Sequence, residues 1–292
     1  MATHTNAPDT HAEARFSFGQ NWQRFLRTVD ERRIEEAEAS LRAFLEVDHL
    51  RGRTFLDLGC GSGLFSLAAQ RLGAEQVVSL DYDDASVDVT TELRRRFAPH
   101  ASNWRVHRGD VLDAASLHQH GRFDVVYAWG VLHHTGHMWG ALDNIIQSVT
   151  TDGRLFIAIY NDQGLTSRMW LAVKRSYNRL PGWTQPACVA LVMAPRELRF
   201  AIAETLAGRP FGYFRSWTEY RRNRGMSRWH DLVDWVGGLP FEVAKPEEIF
   251  DFYRSRGFEL ERLTTSGGGL GCNQFVFRRA DRERDRAPRH EP

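Results

Sequence analysis

TFLDLGCGSGLFSLAAQRL, residues 54–72, is the stretch on which the fold turns. An apolar run carries an acid, Asp57, and gives way to Gly59, Gly61 and Gly63 at alternate positions, and a helical pattern opens at once on Leu64. Glycines so spaced let the chain reverse sharply and let a ligand approach the backbone, while the helix behind them starts with unpaired N–H groups. The reading is strand, tight bend and helix, with a nucleotide-like cofactor at the bend.

Outward from this unit the same alternation repeats. Short apolar runs at 76–80 (QVVSL), 104–108 (WRVHR), 123–129 (FDVVYAW) and 154–160 (RLFIAIY) are separated by helical patterns at 64–72, 84–97, 114–118 and 137–149, the last stopped by Thr151-Asp152-Gly153. Such alternation predicts a parallel sheet with crossover helices. A strand-and-helix pattern returns only at Pro246, where a helix over 246–257 precedes an antiparallel pair, FELERLTT at 258–265 and NQFVFRR at 273–279.

The expected organisation is a polar tail over 1–14, a helical segment over 15–50 with an amphipathic helix at 30–45, a core over 51–160, a helical insertion over 161–245, the remainder of the core over 246–279, and a charged tail over 280–292. The insertion holds five of the nine tryptophans and a surplus of six basic over acidic residues. Two of its helices, read at 166–180 and 196–208, each show one apolar face. It reads as a lid over an acceptor pocket, and the cluster at 221–225 (RRNRG) as a receiver of a phosphate, an acidic substrate or a membrane surface.

Composition bounds the function. With 38 basic against 37 acidic residues the chain has no global field of the kind that marks a general nucleic-acid binder. Cys60, Cys188 and Cys272 lie far apart without paired spacing, which argues against a disulfide framework or zinc site and suits a reducing cytoplasm. Neither a signal peptide nor an apolar run long enough to cross a bilayer is visible.

The bend narrows the cofactor. A dinucleotide site asks for Gly or Ala three residues after its second glycine, where this chain has Leu64, so a cofactor without a pyrophosphate is favoured. Asp81 ends the second strand, where a carboxylate accepts hydrogen bonds from both ribose hydroxyls, and Asp110 ends the third within reach of an adenine edge.

LDLGCGSGLFS, VVSLDYD, RGDVLD, FDVVYAWGVLHH and DGRLFIAIYN together resemble the ordered motifs of class I S-adenosylmethionine-dependent methyltransferases, and FGQNW with VLHHT is similar to the ubiquinone-biosynthesis-type O-methyltransferases. The resemblance implies a Rossmann-like α/β fold: a mostly parallel seven-stranded sheet with an antiparallel last strand, plus the helical insertion between strand 5 and the last helix. It implies S-adenosylmethionine as cofactor and S-adenosylhomocysteine as product. The cofactor's methionine would lie near Asp57, Gly59, Gly61 and Gly63, its ribose at Asp81 and its adenine near Tyr82, Asp110 and Val111, with the methyl group facing the end of the fourth strand.

Methyl transfer is an in-line displacement from a sulfonium, so alignment and exclusion of water dominate. Trp129, Tyr160 and Trp22 are the aromatic candidates to hold the cation. For a hydroxyl acceptor, His134 is the expected base, with His133 beside it and Tyr160 as the third catalytic candidate; His137, Asn161 and His230 join Trp22 as acceptor-binding candidates. No metal is expected, since Trp129 and Gly130 stand where a magnesium ligand is needed. The activity expected is O-methylation of a small molecule, with no nucleic acid as partner and with a peripheral membrane contact and a homodimer left open. The alternatives are an RNA or protein methyltransferase working through the basic insertion, or a protein that binds the cofactor without turnover.

Overall fold

A computed structural model describes residues 19–217, 228–267 and 271–280. Its sheet has seven strands: β1 Thr54–Leu58, β2 Gln76–Asp81, β3 Trp104–Arg108, β4 Phe123–Trp129, β5 Val149–Tyr160, β6 Phe258–Thr264 and β7 Cys272–Arg279. They lie in the order β3-β2-β1-β4-β5-β7-β6, with β1 to β5 parallel and β7 antiparallel to both β5 and β6. The expected mixed sheet is the observed one.

Strands buried on both faces explain the uninterrupted apolar runs. Phe55, Val77, Val125 and Phe156 point to one face, covered by helices α2 (Glu31–Leu45), α3 (Leu64–Arg71) and α4 (Asp84–Phe97). Leu56, Val78, Val126 and Ile157 point to the other, covered by α6 (Met138–Asn144) and α10 (Pro246–Arg254), with α5 (Ala114–Gln119) nearby. At the lower edge Asp124 Oδ2 accepts from the backbone N–H and the hydroxyl of Thr54, both at 2.8 Å, and so pins β1 to β4 away from the cofactor bend.

Between β5 and α10 stand α7 (Leu165–Arg179), α8 (Gln185–Leu206) and α9 (Arg228–Gly237), packed together through Tyr177, Val189, Met193, Leu232 and Val236. Ahead of the sheet, α1 (Gly19–Leu26) precedes α2, whose N-cap is Asp30.

Three expectations are corrected. The helix read to Val149 ends at Asn144 with a short 3-10 turn, and Val149 already belongs to β5; Asp152, at φ 60°, makes an irregularity in that strand rather than a helix stop. The helix read from residue 196 begins at Gln185 and runs through Pro195, because a proline removes only one hydrogen bond and the apolar periodicity continues across it. Strand β3 ends at Arg108, so Asp110 sits in the turn beyond it. The cluster at 221–225, the first 18 residues and residues 281–292 lie outside the described residues.

Candidate functional site

The strand order reverses between β1 and β4, and in a doubly wound sheet the crevice at the carboxyl ends of such a pair is where ligands collect. Gly59, Gly61 and Gly63 fill that crevice after β1, all in the left-handed region at φ 68°, 54° and 75°. Gly61 is also hemmed in: a Cβ there would lie 2.8 Å from the Cε2 atom of Trp22, so the leader helix α1 lies across the bend. Behind Gly63, Thr90 of α4 stands 2.7 Å from where a Cβ would be, and Val131, beyond β4, crowds Gly59.

The acids that frame the bend do different work. Asp81 Oδ2 accepts from the Gly61 N–H at 2.9 Å and Oδ1 from the Asp83 N–H at 2.9 Å, so one carboxylate shapes the loop and starts the next turn. Burial raises the Asp81 carboxyl above its ordinary value against these two bonds and a third from the Tyr82 backbone. Asp57 is almost wholly buried; it accepts from the Ser66 hydroxyl at 2.5 Å, and Ser66 in turn contacts the Ser79 hydroxyl at 2.7 Å. Burial pushes Asp57 up to about 7, opposed by the Ser66 bond and assisted by the charge of Asp81. Asp110 Oδ1 accepts from the Leu112 N–H at 2.9 Å, Val111 is in the core, and Tyr82 stands half exposed with the Arg108 guanidinium 5.7 Å from its ring centre.

At the ends of β4 and β5 a second group assembles around Tyr160. The His133 ring lies 3.9 Å from it between centroids, His134 5.4 Å, Phe241 5.4 Å and Trp235 6.0 Å. His134 Nδ1 meets the Pro240 carbonyl at 2.6 Å; a carbonyl only accepts, so Nδ1 carries the proton and Nε2 the lone pair. Burial holds the His134 pKa down to about 4, the Pro240 bond working against it and the Lys174 charge with it. His133 is fully buried, and burial and its neighbour His134 hold it well below its ordinary value. Trp129 is half exposed and donates from Nε1 to Gln274 at 3.0 Å.

The remaining expected residues are scattered. Trp22 sits on the cofactor bend and not at the β5 edge. The His137 ring accepts from the Gly140 N–H at 3.1 Å and caps α6. Asn161 is buried and accepts from the Asn273 side chain at 3.0 Å. His230 lies on α9, and its side chain is outside the described ones.

Lys174, Trp235, Phe241 and the 240–244 strap escape a reading of the sequence. Lys174 is buried on α7, donates to the Trp235 carbonyl and has Phe241 4.9 Å from its amine. The strap is bonded on to the site: Glu242 N–H donates to His133 O and Ala244 N–H to Tyr160 O, each at 3.0 Å. The sequence signal for Lys174 is a lone charge at a buried position of an amphipathic helix.

A family model described as a methyltransferase domain matches residues 29–198, more than half of the chain. A segment of 53 residues is 45% identical to the ribosomal protein L11 methyltransferase of Thermotoga petrophila, covering 18% of this chain and 20% of that protein. A segment of 47 residues is 49% identical to its namesake from Alteromonas mediterranea, covering 16% of each. The chain thus spans a quarter or less of the length of the curated relatives it matches. Among solved structures it is similar to the magnesium protoporphyrin IX methyltransferase of Synechocystis PCC 6803 with bound SAH, at 15% identity, TM-score 0.53, covering 90% of this chain and 95% of that one. It is also similar to an O-methyltransferase family protein from Burkholderia thailandensis, at 14% identity and TM-score 0.51, covering 85% and 57%. At such identities the likeness is one of fold.

Proposed function

This chain belongs to the methyltransferase-domain family, and from that premise we propose that it transfers the methyl group of S-adenosylmethionine to an oxygen of a small-molecule acceptor. The observation that carries the reading is the wall of rings at the sheet's carboxyl edge, in which Tyr160 of the core touches His133 on one side and Trp235 of the insertion on the other. An acceptor presented against that wall, beside helices of the insertion, is better matched by a small planar molecule than by a folded macromolecule.

The residues suit the cofactor. The left-handed glycines 59, 61 and 63 let the chain bend sharply with no side chain of their own, and the Asp81 carboxylate, which accepts from the backbone N–H groups of Gly61, Asp83 and Tyr82, retains accepting capacity for a ribose hydroxyl. In this reading Gly59 to Gly63, with Asp57 beneath them, hold the methionine part, Tyr82, Asp110 and Val111 the adenine, and Trp129 the cationic end. Trp22 closes the cofactor side rather than the acceptor side. When bound, S-adenosylmethionine supplies an electrophilic methyl group on a sulfonium and leaves as S-adenosylhomocysteine.

The rest is done by the chain. His134 is uncharged at neutral pH, and its Pro240 bond fixes the tautomer whose Nε2 accepts a proton. A base held near 4 is weak, so it serves an acceptor whose hydroxyl is already acidic, such as a phenol. Tyr160 keeps both imidazoles in place, and Asn161 stands at the acceptor end with Asn273 fixing its amide.

Incubation with methyl-labelled cofactor and a cell extract tests the reading. Label in organic-extractable material is expected. Label sensitive to protease would move the acceptor to a protein, as the names of the curated relatives suggest for those enzymes, and label sensitive to nuclease would move it to RNA. Uptake of cofactor without any labelled product would leave a binding protein.

A further inference from the structure

Helix α8 shows an apolar face to solvent. Leu191, Pro195, Leu198, Ile202 and Leu206 follow at intervals of four, three, four and four residues, which places them in one stripe, and all are exposed; Leu191 is 77%, Leu198 62% and Leu206 83% accessible. The opposite side of the same helix is the one that packs, through Val189 and Met193, against α7 and α9. A stripe of this length on solvent marks a contact surface rather than scattered surface leucines.

Charge selects the partner. Over residues 165–217 there are eight Lys or Arg and two acids, Glu197 and Glu204. Both acids lie on the inner side of α8, with side chains only 12% and 17% accessible, and Glu204 is bonded to Arg209. Arg199, which borders the stripe, is exposed, as is Arg179 at the end of α7, whereas Arg196 is ion-paired with Glu197. Trp183, two residues ahead of α8, is 85% accessible, and Phe211 and Phe214 beyond its end are also exposed. A second copy laid stripe to stripe would bring the Arg199 charges of both copies to one seam with no acid on that face to offset them. An anionic lipid surface would instead neutralise the arginines while taking up the leucines and aromatic rings, which is how interfacial amphipathic helices bind. The helix is 22 residues long, yet no helix among the described residues is long and apolar enough to cross a membrane.

We propose that the outer face of α8 docks this protein onto the surface of an anionic phospholipid bilayer, lying in the interface without spanning it. The proposal rests on the stripe and on the placement of the acids, and is independent of which acceptor is methylated.

Flotation of the 292-residue chain with vesicles tests it, using phosphatidylcholine alone and phosphatidylcholine mixed with phosphatidylglycerol. Binding is expected to the mixed vesicles, to be weak on phosphatidylcholine alone, and to fall steeply at high salt. L198S/L206S should lower vesicle affinity about tenfold or more, and R199E about tenfold, because it removes one attraction and adds one repulsion of a few-fold each. Both sites are exposed, so melting temperature and uptake of S-adenosylhomocysteine should stay at wild-type values and certify the fold. Failure to float with the mixed vesicles overturns the proposal. So does a loss confined to R199E, which would leave the stripe without a role, and so does a stable dimer in sedimentation that L198S/L206S dissociates, which would give the face to a second copy.

Discussion

The indole of Trp22 closes over the α-carbon of Gly61, near enough that a methyl group there would lie 2.8 Å from the ring. A helix outside the sheet thereby helps set the shape of the bend that follows β1, and the Asp81 carboxylate holds the same residue from the other side by its N–H.

Gly61→Ala should therefore damage both fold and binding. The left-handed φ of 54° and the collision with Trp22 together cost about 2 kcal/mol or more. Affinity for S-adenosylhomocysteine by calorimetry should fall at least tenfold. Adding Trp22→Ala relieves the collision but not the φ, so the double variant should recover part of the stability; full affinity in Gly61→Ala alone would show that the bend is not the cradle.

Asp81→Ala leaves the N–H groups of Gly61 and Asp83 without their acceptor, at about 1–3 kcal/mol for each such group that water cannot reach. Asp81→Asn keeps one acceptor oxygen and should be milder in stability, yet both should lose cofactor binding if the carboxylate accepts the ribose hydroxyls. Unchanged calorimetric titration of Asp81→Asn would remove the ribose assignment.

His134 and Asp57 give opposite pH dependences. His134 falls from 6.5 to about 4 in the fold, so its contribution is complete above pH 6.5 and is lost as pH drops towards 4, a difference of about 3 kcal/mol. Asp57 rises from 3.8 to about 7, so its contribution is complete below pH 3.8 and is lost as pH rises through 7, by about 4 kcal/mol. Urea unfolding of His134→Gln against wild type should show a stability gap that shrinks on acidification. For Asp57→Asn the gap should move in the variant's favour from pH 5 to 8. A gap that does not vary with pH in either pair would mean that the residue's environment is not the buried one described.

Burial holds both histidines down and the Lys174 charge adds to it, so Lys174→Met should raise the His134 pKa above about 4 while burial keeps it below its ordinary value. Its imidazole resonances titrated by NMR measure this directly. The same variant breaks the bond to the Trp235 carbonyl that ties α7 to α9, and should cost about 1–3 kcal/mol. An unmoved His134 titration would deny Lys174 any electrostatic role at the site.

Asp124→Ala offers the contrast. It deprives the Thr54 N–H and hydroxyl of their acceptor at the lower edge of β1, with a loss of about 1–3 kcal/mol in urea unfolding. Calorimetric affinity for S-adenosylhomocysteine should be that of wild type; a large loss would mean that the two edges of the sheet are coupled.

What local order writes, the sequence alone determined. The period of apolar residues specifies strand or helix, and glycines at 59, 61 and 63 specify a bend that only residues without a Cβ enter at low cost, so the sheet, the bend and the acid at Asp81 are all legible within windows of some twenty residues. The boundary errors at Val149 and Pro195 are of the same local kind, one strand irregularity and one proline tolerated inside a helix.

The tertiary structure alone decided which distant side chains meet. His134 finds its proton partner in Pro240, 106 positions away, Asn161 finds Asn273 at 112, and Lys174 reaches the Trp235 carbonyl at 61. Such pairings depend on how helices and straps pack against the sheet, and no periodicity records them. For that reason the tautomer and depressed pKa of His134, the burial of Lys174 and the capping use of His137 follow from packing and burial, whereas the cradle at Gly59 to Gly63 follows from backbone stereochemistry.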